Sequence, residues 1–247
     1  PFVNKKVLEK IREQVVNAFG GKFYEIIVGG AAFNQEVEQF LQRIEFPYTV
    51  GYGATECAPI ICYADCHDFV AGSCGKPVVH MEVKIDSPDP QNVPGEILAR
   101  GLNVMLGYFK NEAQTLDADG WYHTGDLGLM DADGNVFIKG RSKNMLLGAS
   151  GQNIYPEEIE DKLNSLNMVN ECIVVQRGEK LVGLVYPDFD EAATMQLNDS
   201  DLENIMEENR QELNASQPPY CRLAAIEIVK EEFEKTPKKS IKRYLYK

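Results

Sequence analysis

The sequence predicts an α/β unit followed by an α+β unit, and three features of its patterning carry that prediction. Residues 23–50 run strand, helix, strand with short loops, the signature of a βαβ unit and a parallel sheet. From Ala71 to Lys139 short β-prone runs are punctuated by turn signals. After Arg141 helical and strand patterns alternate again, over roughly a hundred residues, enough for a unit that folds by itself.

Each element follows from its residues. Val7, Leu8, Ile11, Val15, Val16 and Phe19 recur at helical spacing within residues 4–19, with charges opposite. Phe23 to Val28 is a β-prone run that ends in Gly29-Gly30. Asn34 can cap the next helix, whose apolar stripe is Val37, Phe40, Leu41 and Ile44. Tyr48 to Val50 reads as the second strand and ends at Gly51. Ligands of parallel sheets bind beyond the carboxyl ends of the strands. Both glycine clusters, Gly29-Gly30 and Gly51-Tyr52-Gly53, fall there.

Met81 to Ile85, Gly95 to Arg100 and Val136 to Lys139 are the clearest strands of the next stretch, with Asp133-Gly134-Asn135 as a hairpin-type turn. One helical turn is expected around Asn111 to Thr115, and the stretch as a whole reads as a small barrel or sandwich. Pro156 opens a helix at its favoured first position, followed by Glu157, Glu158 and Glu160 near the positive helix end. Ile159, Leu163 and Leu166 form its buried face. Cys172 to Val175 and Leu181 to Tyr186 make an antiparallel pair around Gly178, a helix spans about Asp199 to Leu213, and Ala224 to Val229 is the final strand.

Composition narrows the function classes. The chain has 247 residues, 44% hydrophobic and 26% charged, with a formal net charge of −13. That balance belongs to a globular protein with a real core and argues against disorder. No apolar run approaches the roughly 18 residues needed to cross a bilayer. The acidic charge repels phosphate backbones, so nucleic acid is not an expected partner. A start at Pro1, with no initiator Met or signal pattern, reads as a piece of a longer protein, expected in the cytoplasm or at a membrane surface through its missing part. Of the six cysteines, Cys57, Cys62, Cys66 and Cys74 lie close together beside His67. Free thiols of a reducing compartment are the expectation, since no C-x-x-C pair of zinc-site type is present. A metal cluster and disulfides stay as alternatives.

Three segments carry chemistry. Gly51-Tyr52-Gly53-Ala54-Thr55-Glu56 reads as a loop after a strand. In it Tyr52 offers a stacking plane, Thr55 a donor to a phosphoryl oxygen, and Glu56 a carboxylate for a hard divalent ion beside phosphate. In Trp121-Tyr122-His123-Thr124-Gly125-Asp126, an Asp after a Gly-containing turn can accept from two vicinal ribose hydroxyls. In Gly140-Arg141-Ser142-Lys143, Arg141 can pair with phosphate or reach ribose oxygens. Taken singly, each has an ordinary alternative: a turn with a solvated Glu, an Asx turn, a linker charge.

Together these segments resemble the adenylate-forming superfamily of acyl-CoA synthetases, luciferases and peptide-synthetase adenylation domains. The likeness runs in the family's order through Gly29-Gly30-Ala31, G-Y-G-x-T-E, Met105-Leu106-Gly107-Tyr108, Y-x-T-G-D, G-R-x-K, Gly148-Ala149-Ser150-Gly151 and Pro156-Glu157-Glu158-Ile159-Glu160. The resemblance implies an ATP-dependent acid–thiol ligase that forms an acyl-adenylate and passes the acyl group to coenzyme A, with Mg²⁺ on the nucleotide. It implies that residues 1–140 are the end of a large AMP-binding domain and 141–247 a small mobile domain, hinged near 141–143. By the same likeness Gly29, Gly30 and Ala31 line the adenine and acyl region, Tyr52 stacks on adenine and Thr55 contacts the α-phosphate. Glu56 holds Mg²⁺, Asp126 binds the ribose hydroxyls and Arg141 reaches the nucleotide. Lys143 is the hinge, and Gly151 lines the pantetheine tunnel.

The segment Gly151 to Glu160 is most similar to long-chain fatty acyl-CoA synthetases. The rivals are amino- or aryl-acid activation for a carrier protein, and a non-catalytic binding module. Two departures stand out. The family's Ser/Thr/Gly-rich phosphate loop, which lies upstream, has no counterpart, so this chain is expected to need the remaining N-terminal part and to be inactive alone. At the other end, Lys235-Thr236-Pro237-Lys238-Lys239-Ser240-Ile241-Lys242-Arg243 matches T-P-x-G-K-x-x-R imperfectly. Ser240 falls on the adenylation lysine; either Lys239, through a one-residue shift, is the substitute, or the chain lacks the usual adenylation lysine. The segment's cations in so acidic a chain point to anion binding, against the alternative of a solvated tail.

Overall fold

The computed structural model describes residues 2–30, 32–110, 116–148, 150–237 and 239–246. The chain divides into two compact units, Pro1–Ser142 and Lys143–Lys247.

The first unit opens with α1 (Phe2–Ala18), β1 (Ile26–Val28), α2 (Gln35–Arg43) and β2 (Tyr48–Val50). Asn34 caps α2, its side chain accepting from the Val37 N–H at 3.0 Å. β1 and β2 pair in parallel, Ile26 opposite Tyr48 and Val28 opposite Val50, so the expected βαβ unit forms. Leu8, Ile11, Val15 and Val16 of α1 pack on buried Ile44, Phe46 and Tyr48. The chain then forms β3 (Tyr52–Gly53), a 3-10 turn at Thr55–Cys57, β4 (Ile60–Tyr63) and β5 (Lys76–Pro77), a small antiparallel sheet. The G-Y-G segment is therefore partly strand where the sequence reads as loop.

β6 (Met81–Asp86), β7 (Gly95–Gly101), β8 (Tyr122–Met130) and β9 (Val136–Arg141) complete the unit as an antiparallel meander. Among the described residues the small barrel expected here does not form: the four strands make an open sheet with β6 and β9 at its edges. Closure needs more strands around a filled interior, whereas this sheet buries Ile85, Ile97, Ala99 and Val136 with Ile61 and Cys62 of β4. β8 escapes sequence reading because His123-Thr124-Gly125-Asp126 is polar and carries a glycine. The expected turn at Asn111–Thr115 lies outside the described residues.

The second unit contains β10 (Leu146–Leu147), β11 (Asn153–Ile154), α3 (Pro156–Leu163), β12 (Val169–Arg177), β13 (Lys180–Pro187), α4 (Phe189–Thr194), α5 (Asp199–Ser216) and β14 (Leu223–Ile228). β12 and β13 pair antiparallel around Gly178, at φ +63, and β14 joins β13 in parallel. α5 starts in a reciprocal capping box between Asn198 and Asp201. Strand alternation sends Cys172, Val174, Leu181 and Val185 toward Ile159 and Leu163 of α3 and Leu202 and Met206 of α5. The opposite face, Ile173, Val175, Val182 and Leu184, is covered by Phe233, Ile241 and Tyr246. The C-terminal segment is thus packed on the sheet and is no solvated tail. Among the described residues, no helix is long and apolar enough to cross a membrane.

Candidate active site

Three motifs separated along the chain meet at Asp126. The Tyr52 hydroxyl donates to Asp126 Oδ2 at 2.7 Å, and Arg141 Nε lies 2.8 Å from Asp126 Oδ1. β8 and β9 bring Asp126 and Arg141 together as direct cross-strand partners. Arg141 also donates from Nη1 to the Thr124 carbonyl at 3.1 Å. Asp126 is 8% exposed, so its charge is held by these partners more than by water. Burial and the Asp126 charge push the Tyr52 phenol far above its ordinary range, which keeps it a donor. The Tyr52 ring itself belongs to the core cluster with Cys57, Ile61 and Cys62.

Asp126 does not follow a turn. It sits in β8 at a bulge, where Thr124, Gly125 and Asp126 together oppose Ile97, between the pairs Glu96–Leu127 and Leu98–His123. Gly125 has φ +72, a backbone region in which a side chain is strained. Thr124 Oγ1 donates to the Ile97 carbonyl at 2.7 Å and accepts from the Asp126 N–H at 3.0 Å. Bulges re-aim a side chain in this way.

Thr55 and Glu56 lie in the 3-10 turn after β3. The Tyr108 hydroxyl donates to Glu56 Oε1 at 2.6 Å, and the Met105 N–H to the Glu56 carbonyl at 2.7 Å. The G-Y-G-x-T-E and M-L-G-Y segments therefore touch through Glu56. Hydrogen bonding to Glu56 raises the Tyr108 phenol, and burial raises that of Tyr122. One carboxylate beside a hydroxyl-bearing residue fits Mg²⁺, which is held by one or two carboxylates plus substrate phosphates.

At the carboxyl ends of β1 and β2, the Gly51 N–H donates to the Val28 carbonyl at 2.8 Å. A Cβ on Gly29 would lie 3.2 Å from the Gly51 carbonyl, so the two glycine clusters adjoin. Ala31 lies outside the described residues. Glu96 and His123, beside the bulge, carry no functional signal in the sequence, because only cross-strand register places them there.

Lys143, Gly151 and Lys239 belong to the second unit. Gly151, at φ +83, closes the β10–β11 hairpin, donating to the Gly148 carbonyl at 2.9 Å. The loop between Lys235 and Ile241, themselves bridged, is closed by the Thr236 N–H on the Ser240 carbonyl at 2.8 Å. Lys239 is exposed at φ +61. That left-handed corner falls where T-P-x-G-K-x-x-R carries its glycine, a position a residue with a Cβ holds under strain. Arg243 is paired with buried Glu160, which also accepts the Val174 N–H. Burial lifts the Glu160 carboxyl to about 7, against the opposing pull of Arg243.

All six cysteines are free thiols, and burial pushes Cys57 up to about 11. Asp65, Cys66 and His67 bring potential metal-ligand atoms within 4.8 Å of one another. Asp65 already accepts from the Tyr24 hydroxyl and the His67 N–H, and Glu25 from the Cys66 N–H, the bonding of a polar turn.

The profile of the family described as AMP-binding enzyme matches residues 3–109, and that of the AMP-binding enzyme C-terminal domain matches 143–246. A long-chain-fatty-acid–CoA ligase of Mycobacterium bovis is 33% identical over 67% of this chain and 27% of its own length. The 4-coumarate:CoA ligase 1 of Petunia hybrida is 35% identical over 75% of this chain and 37% of its own. The chain thus spans well under half the length of these relatives. The o-succinylbenzoate CoA synthetase of Bacillus subtilis, solved with its acyl-adenylate intermediate, shares the fold at a TM-score of 0.73 and 22% identity, over 95% of this chain and 49% of that one.

Proposed function

The chain belongs to the AMP-binding enzyme family, and we propose that it is the carboxy-terminal part of an ATP-dependent acid–CoA ligase. The convergence of Tyr52, Asp126 and Arg141 carries this reading. A buried carboxylate oriented from two sides, by the Tyr52 hydroxyl and the Arg141 guanidinium, is the kind of group that accepts from the ribose hydroxyls of ATP. Arg141, whose side chain is 58% exposed, can swing toward the nucleotide without leaving a buried charge of its own.

In the first half-reaction a carboxylate oxygen attacks the α-phosphorus, and the bond to pyrophosphate breaks. In the second, the coenzyme A thiolate attacks the acyl carbon and AMP leaves. Thr55 donates to the α-phosphate, and Glu56, oriented by Tyr108, would hold Mg²⁺. That ion, when bound, supplies charge neutralisation on the phosphates. Gly29, Gly30 and Ala31 line the adenine and acyl region, and Tyr52, its ring packed in the core, acts there through its hydroxyl on Asp126. In the second unit, Lys143 is the hinge, Gly151 leaves room for pantetheine, and Lys239 supplies cationic charge.

For the acid we propose a fatty chain. The support is the Gly151 to Glu160 segment and the presence of long-chain ligases among the relatives. Aryl-acid ligases match as well, so an aryl substrate is the second reading. Ser240 in the lysine's place favours a third, a nucleotide-binding module without catalysis. Pyrophosphate exchange by the full-length protein, with fatty, hydroxycinnamic and benzoic acids, separates the three. Exchange that rises with fatty acids supports the proposal. Exchange with aryl acids alone overturns the substrate class, and AMP binding without any exchange overturns the ligase.

A further inference from the structure

We propose that Glu96 is a positioning residue for nucleotide binding, holding the β8 bulge that aims Asp126. This rests on the reading of Asp126 as the ribose-facing carboxylate. Glu96 Oε1 accepts the Gly125 N–H at 2.9 Å, and Glu96 Oε2 lies 2.9 Å from His123 Nδ1. One carboxylate therefore holds the residue just before the bulge, His123, and the middle of the bulge, Gly125. His123 is engaged on its other side by Asp117, at 3.6 Å from Nε2.

The bulge needs such a partner. Where Thr124, Gly125 and Asp126 oppose a single residue, the regular ladder cannot supply every backbone bond. The Asp126 N–H turns to Thr124 Oγ1, and the Gly125 N–H turns to Glu96. The Gly125 carbonyl accepts from the Ser142 N–H at 2.9 Å, and the Thr124 carbonyl from Arg141. The β9 side thus holds the bulge's carbonyls, and on the β7 side Glu96 holds the N–H next to Asp126. Glycine at φ +72 has wide conformational freedom, so removing that acceptor lets the peptide on which Asp126 is mounted rotate. A carboxylate also binds an N–H more strongly than a neutral acceptor.

The test compares ATP with 2′,3′-dideoxy-ATP, which lacks the hydroxyls Asp126 would bind. Affinities are measured by calorimetry on the full-length protein and its Glu96→Ala, Glu96→Gln and Asp126→Ala variants. Glu96→Ala should lose about three- to tenfold in affinity for ATP, the equivalent of one hydrogen bond. It should change less than twofold for the dideoxy analogue. Glu96→Gln, which keeps an acceptor for Gly125, should recover most of the loss; if the alanine variant does not fold, Glu96→Ser, too short to reach the Gly125 N–H, takes its place with the same expected outcomes. Equal losses of Glu96→Ala on both nucleotides, or none on ATP, would overturn the positioning role. If Asp126→Ala itself weakens both nucleotides equally, the ribose reading fails first, and Glu96 with it.

Discussion

Tyr52 and Asp126, 74 residues apart in sequence, share a 2.7 Å hydrogen bond in which the phenol donates to a nearly buried carboxylate. This bond ties β3 to the bulge of β8, and so makes one site of two motifs that are unremarkable when read singly. Tyr52→Phe keeps the ring's packing and removes only the donor. ATP affinity of the full-length protein should fall by about tenfold, the low end for a hydrogen bond to a charged group. Unchanged affinity by calorimetry would mean that the other partners of Asp126, Arg141 among them, suffice to orient it.

The left-handed corner at Lys239 separates two roles for that residue. Relief of backbone strain, roughly 1–2 kcal/mol for a residue with a Cβ, predicts that Lys239→Gly raises the Tm. If Lys239 also supplies charge to the α-phosphate, both Lys239→Gly and Lys239→Ala slow adenylate formation by about 10²-fold. Ser240→Lys should then restore the rate of Lys239→Gly. A fast Lys239→Gly enzyme would remove Lys239 from the chemistry.

Lys143 begins the second unit, directly after Ser142, whose N–H is bound to the Gly125 carbonyl. Proline locks φ near −65° and removes an N–H. Lys143→Pro in the full-length protein should keep adenylate formation and lose thioester formation, measured as separate half-reactions. Equal loss of both would point away from a hinge.

Arg243→Met leaves the buried Glu160 without its cation, at a cost of about 3–5 kcal/mol. The melting temperature should drop sharply, and Glu160→Gln combined with Arg243→Met should regain part of it. A small effect of Arg243→Met would show that the Val174 N–H compensates the carboxylate by itself.

His123 gives a pH dependence of definite sign. Its hydrogen bond to Glu96, with Asp117 adding to it, raises the imidazole pKa in the folded state. A raised folded pKa contributes stability that is complete below the unfolded value, about 6.5, and is lost as pH rises through the folded one. The Tm difference between the wild type and His123→Gln should therefore be largest near pH 6 and shrink toward pH 9. A difference independent of pH would exclude a charged His123 from the brace.

The sequence by itself determined the local elements and the family. The βαβ unit, the strand pair around Gly178 and the α5 helix are written in periodicity and caps, which act within a few residues. Motif order along the chain was enough to identify Thr55, Glu56, Asp126 and Arg141 as candidates. What only the tertiary structure decided depends on register between distant strands. The open sheet in place of a barrel, β8 itself, and the Glu96 brace on Gly125 all follow from which residues face each other across the meander. In the sequence the C-terminal segment shows only its charge, which points to anion binding and leaves a solvated tail as the alternative. It packs because Phe233, Ile241 and Tyr246 meet an apolar sheet face that becomes continuous only once β12, β13 and β14 have paired.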